Sequence, residues 1–154
     1  MQFAVKILVK KEVKSFARNP GGAPANVLAM HSKLGGSSAF IGKVGNDAFG
    51  SYLKDTLSNH NIDITGMATD SNVPTTLAFV QLDSKGDRSF SFYRNPGADM
   101  MLNADEVKKE LIDECKIFHF GSLSLTDEPC RKATYDAVTV SYTHLRAHET
   151  SLHL

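Results

Sequence analysis

Hydrophobic residues occur along the chain in two patterns. Some repeat every three to four residues, as in amphipathic helices, and others form short continuous runs, as in buried strands. The helical repeat, together with capping residues and prolines, predicts four helices. These helices begin near Pro24, Asn46 or Asp47, Asn103 and Pro129. Phe49, Leu53 and Leu57 repeat at four-residue spacing on the second helix, and Asn103 followed by Glu106 is a capping signature for the third.

The first helix has its own apolar repeat and stop signal. On the first helix, apolar spacing relates Val27, Met30, His31 and Leu34. Gly35-Gly36 then supplies its C-terminal stop.

Short apolar or β-branched runs lie between these helices and predict strands. They cover residues 39–41, 62–64, 75–82, 88–93 and 116–120. The third and fourth runs are separated by a short polar segment that contains Gly86, which predicts an antiparallel hairpin. In its second strand, Phe90 and Phe92 share one face, so we expect a half-buried ribbon. Helices that alternate with short strands indicate an α/β fold.

The stretch Asn19-Pro20-Gly21-Gly22-Ala23-Pro24-Ala25-Asn26 stands at the start of the first predicted helix. Its two glycines allow the backbone to approach a ligand closely. A helix N-terminus also leaves backbone N–H groups free to bind hydroxyls or anions. The alternative is a tight turn without a ligand, because glycine and proline commonly mark turns. The glycine and proline pattern alone leaves both interpretations open.

The amino-acid composition of the chain excludes several classes of binding partner. The 154 residues include 17 basic and 17 acidic side chains, so nothing marks a nucleic-acid or anionic-membrane surface. No uninterrupted apolar run has the length of a signal-peptide core or a membrane span, and we expect a cytoplasmic protein. The only cysteines are Cys115 and Cys130, which argues against a disulfide framework or a zinc site.

Three other chemistries fail on spacing. Residues 36–43 have one residue too many for a phosphate-binding P-loop, and Val44 stands where that motif needs Ser or Thr. No Gly-x-Gly-x-x-Gly sequence marks a dinucleotide site. His144 and His148 have only Glu149 and His153 near them as further ligands, so we expect no metal site. Two histidines in apolar segments are interpreted as core residues without a role, His31 and His119.

Five motifs occur along the chain in a fixed order. They are Asn19 to Asn26, Phe40 to Asp47 with Phe49-Gly50, Pro74 to Phe79, Phe90 to Asp99, and Phe118 to Ser122. Together, over about Phe16 to Val138, they resemble the first half of the PfkB, or ribokinase-like, sugar kinases, and most of all bacterial fructokinases. The resemblance implies the N-terminal half of a three-layer α/β/α sandwich with a small β-sheet lid. It also implies transfer of the γ-phosphoryl group of ATP, with Mg²⁺, to a sugar hydroxyl.

The resemblance implies roles for individual residues as well. Gly21, Gly22 and Asn26 would belong to the sugar-binding stretch, and Arg94 would reach the sugar from the hairpin. Asn26 carries donors and an acceptor suited to a polyol, while Arg94 offers a rigid donor fork. Lys43, at the end of its strand, is a weaker substrate-binding candidate, because solvation also explains a lysine there. The implied partners are a small-molecule sugar and, through the lid, a second copy in a homodimer.

Two departures from the family pattern bear on activity. Upstream of Phe16 we find no counterpart of the family's first strand and its sugar-binding Asp, so residues 1–14 are divergent or follow a misplaced start. The family's catalytic Asp lies in a Gly-Ala-Gly-Asp motif that this chain lacks, together with most of the ATP site. We therefore expect residues 1–139 to be an inactive kinase part without a catalytic residue. The alternative is a noncatalytic carbohydrate-binding or dimerisation module, complete in itself.

The C-terminal stretch differs in character from the rest. Val140-Ser-Tyr-Thr-His-Leu-Arg-Ala-His-Glu-Thr150 resembles one reading frame of a transposon-end adaptor used in preparing sequencing libraries. We therefore predict that residues 140–154 are a non-native tail that makes no specific tertiary contacts and binds no metal.

Overall fold

The computed structural model describes residues 3–8, 16–82 and 87–144. Strands and α-helices follow one another as β1 (Phe3–Leu8), β2 (Ala17–Pro20), α1 (Ala23–Lys33), β3 (Ser38–Ala39), β4 (Gly42–Gly45), α2 (Ala48–Asn59), β5 (Ile62–Asp63), β6 (Met67–Asp70), β7 (Leu77–Leu82), β8 (Arg88–Tyr93), α3 (Lys109–Asp113) and α4 (Cys130–His144). Short 3-10 helices cover Ala98–Met100, Ala104–Glu106 and Ser122–Leu125. The alternation of helices and strands confirms the predicted α/β class.

Four strands form one small sheet in the order β2-β1-β7-β8. β7 and β8 pair antiparallel, which confirms the predicted hairpin, and β1 runs parallel to β7. Phe90 and Phe92 share a face, as predicted, and their rings stack with centroids 6.0 Å apart. The expectation that this strand is half-buried is wrong, because β8 lies at the edge of the sheet and all its residues are exposed.

The remaining strands form two short parallel pairs, β3 with β5 and β4 with β6. The single strand predicted over residues 39–41 is wrong in extent, because the pairing partner changes inside it. The N–H of Phe40 donates to the carbonyl of Asp63 at 2.8 Å, whereas the N–H of Gly42 donates to Gly66 at 3.3 Å. Phe40 is buried at this change of partner and belongs to the core.

Helix α1 turns a different face to the core from the one that its larger apolar residues suggest. Ala25 is buried, and Leu28 and Ala29 pack beside it against the core. Val27, Met30 and Leu34 are instead 49%, 59% and 79% exposed. Both sets have helical spacing, and the small side chains of the alanines let the helix backbone approach the core closely. His31 is also exposed, so its interpretation as a core histidine is wrong.

Helix α2 follows the sequence prediction closely. Asp47 is its N-cap and accepts hydrogen bonds from the N–H groups of Phe49 and Gly50 at 3.0 and 2.8 Å. Leu53 and Leu57 recur at four-residue spacing and are buried in the first core cluster. The capping signal and the apolar repeat therefore agree on the start and the buried face of this helix.

A second core cluster lies between α3, α4 and the chain that precedes them. Its buried members are Leu102, Val107, Ile112, Cys130, Ala133 and Ala137. The predicted capping box of Asn103 and Glu106 is present, but it caps a single 3-10 turn. The backbone becomes extended at Val107, and α3 begins only at Lys109. The third predicted helix is therefore split into two short pieces.

The prediction of a strand over residues 116–120 is wrong, and this segment contains neither strand nor helix. None of the strands in the described residues pairs with it, so its backbone lacks the ladder of hydrogen bonds that defines a strand. Ile117 is 84% exposed, and His119 is exposed rather than in the core as interpreted from the sequence. A short apolar run therefore forms a strand only where another strand lies beside it to pair with.

Helix α4 continues through His144, beyond the boundary that the sequence predicts at residue 140. Val140 packs against the second core cluster, and Ser141 is buried with its hydroxyl donating to the carbonyl of Val138 at 2.7 Å. The expectation that contacts cease at Val140 is wrong for these two residues. Residues 145–154 lie outside the described part, and the division at residue 140 stays a prediction.

No helix in the described residues is both long enough and apolar enough to cross a membrane.

Candidate functional site

The two glycines lie at the junction between β2 and α1. β2 ends at Pro20 and α1 begins at Ala23, so Gly21 and Gly22 connect a strand directly to a helix N-terminus. Gly22 is the N-cap residue with φ of 121° and ψ of 124°, a conformation that favours glycine. The first helical hydrogen bond runs from Asn26 N–H to the Gly22 carbonyl at 3.0 Å. The earlier amides of the first turn are therefore without intrahelical partners.

Asn26 lies in this first turn, where its side chain is exposed. Beside it is a recess of about 80 Å³ between α1 and the C-terminal end of α2. The recess is lined by Pro20, Gly21, Ala25, Asn26, Ala29, Thr56, Leu57 and His60. The structure thus places Gly21 and Asn26 together on one concave surface at the start of α1.

A second motif approaches the same helix N-terminus. A Cβ atom on Gly121 would lie 3.1 Å from Cγ of Pro24, so the chain at Gly121 passes close to the first turn of α1. This contact joins the Phe118–Ser122 motif to the glycine stretch, although about a hundred residues separate them in sequence. Two of the motifs identified in the sequence therefore share one location.

Arg94 follows the last residue of β8 and is not a solvated surface charge. Its Nε and Nη2 atoms lie 3.0 and 2.8 Å from Oδ2 of Asp99, and these side chains are 16% and 11% exposed. The other carboxylate oxygen of Asp99 accepts a hydrogen bond from the hydroxyl of Thr76. Asp99 and Thr76 were missed as site candidates, although both belong to motifs recognised in the sequence. No hydrogen bond or ion pair among the described residues joins Arg94 to Asn26.

Lys43 occupies a different environment from the one predicted. Its side chain is only 7% exposed, and Nζ lies 3.0 Å from Oδ2 of Asp70 and 2.8 Å from Oε1 of Glu106. Nζ also donates to the carbonyl of Met101 at 3.1 Å. These oxygen acceptors account for the donors of the ammonium group. The contacts favour an internal structural role for Lys43, and its substrate-binding role stays a prediction.

The Lys43 cluster links β4 and β6 to the capping box at Glu106. Burial disfavours the charge of Lys43, but its bonds to Glu106 and Asp70 outweigh burial and raise the pKa of the lysine. Burial likewise opposes the charge of Glu106, yet the lysine and the Asn103 N–H lower the pKa of this carboxyl. The N–H of Asn72 and then Lys43 lower the pKa of Asp70. All three groups are therefore charged at neutral pH.

Replacing Lys43 by methionine tests this assignment. We expect Lys43→Met to lower the free energy of unfolding by about 1 to 2 kcal/mol, because it leaves two carboxylates unpaired at positions that water reaches only in part. Urea unfolding followed by circular dichroism measures the loss. A change in stability smaller than about 0.5 kcal/mol would contradict an internal structural role for Lys43.

A metal site does not emerge from the described residues. In residues 3–8, 16–82 and 87–144, no group of three or more His, Cys, Asp or Glu side chains is placed to hold a metal ion. The acidic groups at this end of β4 and β6 already have partners, since Asp47 accepts from backbone amides and Asp70 binds Lys43. The donor set therefore does not suit Mg²⁺.

Comparison with known proteins gives one consistent result. The family model described as pfkB family carbohydrate kinase matches residues 4–148. Probable fructokinase-7 of Arabidopsis thaliana is 52% identical over 130 residues, which are 84% of this chain and 38% of that protein. The chain thus spans less than half the length of the curated relatives it matches.

Solved structures of fructokinases have the same fold as this chain over the part that it covers. The fructokinase of Xylella fastidiosa with bound ATP has a TM-score of 0.83 and 31% identity, with 95% of this chain and 49% of that chain covered. The fructokinase of Vibrio cholerae O395 in its fructose-, ADP- and calcium-bound form has a TM-score of 0.78 and 30% identity, with 95% and 47% covered. The overlap confirms the expected ribokinase-like fold class.

Proposed function

The chain belongs to the pfkB family of carbohydrate kinases, and from this membership we propose that it forms the sugar-binding part of a fructokinase-like enzyme. The complete enzyme transfers the γ-phosphoryl group of ATP to a hydroxyl of the sugar. The observation that carries the proposal is the α1 N-terminus, where Gly22 adopts positive φ and Asn26 stands in the first turn. The approach of Gly121 to Pro24 adds a second family motif to the same location.

The chemistry of these groups suits a polyol. Backbone N–H groups at a helix start donate to hydroxyl oxygens, and the Asn26 amide both donates and accepts. Arg94 adds a planar set of donors from the end of the β8 strand. In the proposed complex, closure of the four-stranded sheet over the sugar brings Arg94 to the hydroxyls and excludes water.

ATP and Mg²⁺ are proposed for the complete enzyme. The Xylella fastidiosa relative binds ATP, and the Vibrio cholerae relative is described with fructose, ADP and a calcium ion. The described residues of this chain offer no donor set for Mg²⁺ and no counterpart of the Gly-Ala-Gly-Asp motif. We therefore propose that the nucleotide, the ion and the catalytic base are held by a part of the enzyme outside this chain, and we assign no catalytic residue here.

A homodimer through the small sheet is the proposed assembly. β8 is an edge strand whose residues are all exposed, and an exposed edge with stacked aromatic rings favours pairing with another strand. The same edge also favours the second candidate, a noncatalytic carbohydrate-binding or dimerisation module. The cytoplasmic location is likewise part of the proposal.

A chimera tests the kinase proposal. Residues 16–139 replace the matching segment of the Xylella fastidiosa fructokinase, which supplies its own first strand and C-terminal half. We expect the chimera to phosphorylate fructose with ATP, whereas the 154-residue chain alone gives no turnover above a no-protein control. A coupled assay for ADP measures both proteins.

The controls separate the two candidate functions. A parallel preparation from cells without the gene excludes contaminating kinase. Turnover by the 154-residue chain itself would contradict the predicted inactivity. A folded chimera that binds fructose but transfers no phosphoryl group would favour the noncatalytic module.

A further inference from the structure

The guanidinium of Arg94 is held along one edge. Nε and Nη2 both bond to Oδ2 of Asp99, at 3.0 and 2.8 Å, and the carboxylate is held in turn by the hydroxyl of Thr76. Arginine has five N–H donors in a fixed plane, so this contact leaves three of them, both of Nη1 and one of Nη2, outside the ion pair. In the described residues Nη1 has no protein partner.

We propose that Asp99 and Thr76 are positioning residues, which fix the plane of Arg94 so that the Nη1 edge is presented to the sugar hydroxyls. The inference rests on the proposed function, because it takes Arg94 as a sugar contact. A free arginine side chain occupies many rotamers, and binding would otherwise have to remove this conformational entropy. Holding the guanidinium in advance lowers this cost and so tightens sugar binding.

The backbone around Asp99 is arranged to maintain this contact. The 3-10 turn Ala98–Met100 carries Asp99, and the N–H of Ala98 donates to the carbonyl of Pro74 at 2.9 Å. This bond ties the turn to the chain that leads into Thr76 and β7. Ala98 itself is completely buried.

Gly97 supplies an independent reason to regard the cluster as a unit. A Cβ atom at residue 97 would overlap the Thr76 hydroxyl and lie 2.8 Å from Oδ1 of Asp99 and 3.1 Å from Cγ of Arg94. All three members of the cluster therefore surround a position where a side chain has no room.

The experiment compares Asp99→Asn, Thr76→Val and Thr76→Ser in the chimera. Asp99→Asn removes the charge at constant size, and we expect the fructose KM to rise about tenfold, the value of one charge-assisted bond. Thr76→Val removes the hydroxyl at nearly constant volume and should raise the KM about three- to fivefold. Thr76→Ser keeps the hydroxyl and should stay within about twofold, and the KM for ATP should stay within about twofold in all three.

The Arg94→Ala background separates positioning from general destabilisation. If Asp99 and Thr76 act through the arginine, neither Asp99→Asn nor Thr76→Val changes the fructose KM further when Arg94 is absent. A second readout uses the 154-residue chain itself. We expect the Arg94 Nε–H signal in NMR to be shifted and protected from exchange, and to lose both features in Asp99→Asn.

The outcomes distinguish the inference from the proposed function. If Arg94→Ala leaves the fructose KM unchanged, the sugar assignment of Arg94 fails, and the inference fails with it. If Arg94→Ala raises the KM but Asp99→Asn does not, the positioning role is overturned while the proposed function stands. An Arg94 Nε–H signal that keeps its shift and its protection in Asp99→Asn would also overturn the positioning role, because the arginine would then be fixed by other contacts.

Discussion

Replacing Asp47 by alanine is expected to lower the free energy of unfolding by about 3 kcal/mol, because one carboxylate caps α2 and also joins the start of this helix to Thr75. Its Oδ1 accepts from the N–H groups of Phe49 and Gly50 at the start of α2. Its oxygens also accept from the N–H and the hydroxyl of Thr75, each at 2.8 Å. Alanine removes the cap and leaves the polar groups of the buried Thr75 without these acceptors.

Two further variants define the origin of the loss. Asparagine at residue 47 keeps one oxygen that can cap the helix, but its NH₂ group replaces the other acceptor and faces a donor. We therefore expect Asp47→Asn to lower the free energy of unfolding by less, about 1 to 2 kcal/mol. Asp55→Ala removes an exposed carboxylate from the same helix and should change stability by less than about 0.5 kcal/mol. Urea unfolding followed by circular dichroism measures all three. Equal losses for Asp47→Ala and Asp55→Ala would contradict the structural role of Asp47.

The charge of Asp47 also predicts a dependence on pH. Burial opposes the charge, but the bonds from Thr75, Gly50 and Phe49 outweigh it and lower the pKa of this carboxyl. A lowered folded pKa means that the stabilisation is complete above the ordinary value of about 4 and is lost as the pH falls through the folded value. Unfolding free energy should therefore decrease on acidification below about pH 4, and less steeply in Asp47→Asn.

The features predicted correctly from sequence are those with local causes. The start of α2 depends on Asp47 and the amides two and three residues later, and the capping box at Asn103 has equally short reach. The β7–β8 hairpin likewise joins strands that are adjacent in sequence. Such signals are complete within a short window, so no knowledge of the remaining fold is needed.

The wrong predictions concern contacts between distant segments. Helical spacing on α1 fits the exposed Met30 as well as the buried Ala25, and only the position of the core selects the face. Residues 116–120 have a strand-like composition, but a strand needs a partner that the described residues do not provide. Lys43 reads as a solvated lysine at a strand end, whereas its acceptors Asp70 and Glu106 lie 27 and 63 residues further along the chain.

The candidate site also contains some residues whose location depends on local sequence and others whose environment depends on distant segments. Gly21, Gly22 and Asn26 are close in sequence, so their shared place at the α1 N-terminus follows from the local signal alone. The environment of Arg94 was not predictable, because Thr76 and Asp99 are brought to it by the β7–β8 pairing and the turn after β8. Motif resemblance identified the arginine, while the structure identifies what holds it.

Removing either proposed sugar contact is expected to lower kcat/KM for fructose in the chimera by roughly tenfold to a hundredfold. Closure of the small sheet would desolvate both Asn26 and Arg94, so their loss leaves sugar hydroxyls unpaired, at about 1 to 3 kcal/mol each. The effect should appear in the fructose KM. The KM for ATP should stay within about threefold, because the nucleotide is proposed to bind elsewhere.

Matched variants keep folding separate from binding. Alanine is a better helix former than asparagine, so Asn26→Ala should not weaken α1, and Asn59→Ala changes the same residue type at the exposed end of α2. Arg131→Ala removes an exposed arginine of α4 and should leave the fructose KM unchanged. Arg94→Lys keeps the charge opposite Asp99 but lacks the planar donor fork, so it should resemble Arg94→Ala in fructose KM while retaining more stability. Wild-type fructose KM and kcat in both Asn26→Ala and Arg94→Ala would show that the sugar binds elsewhere.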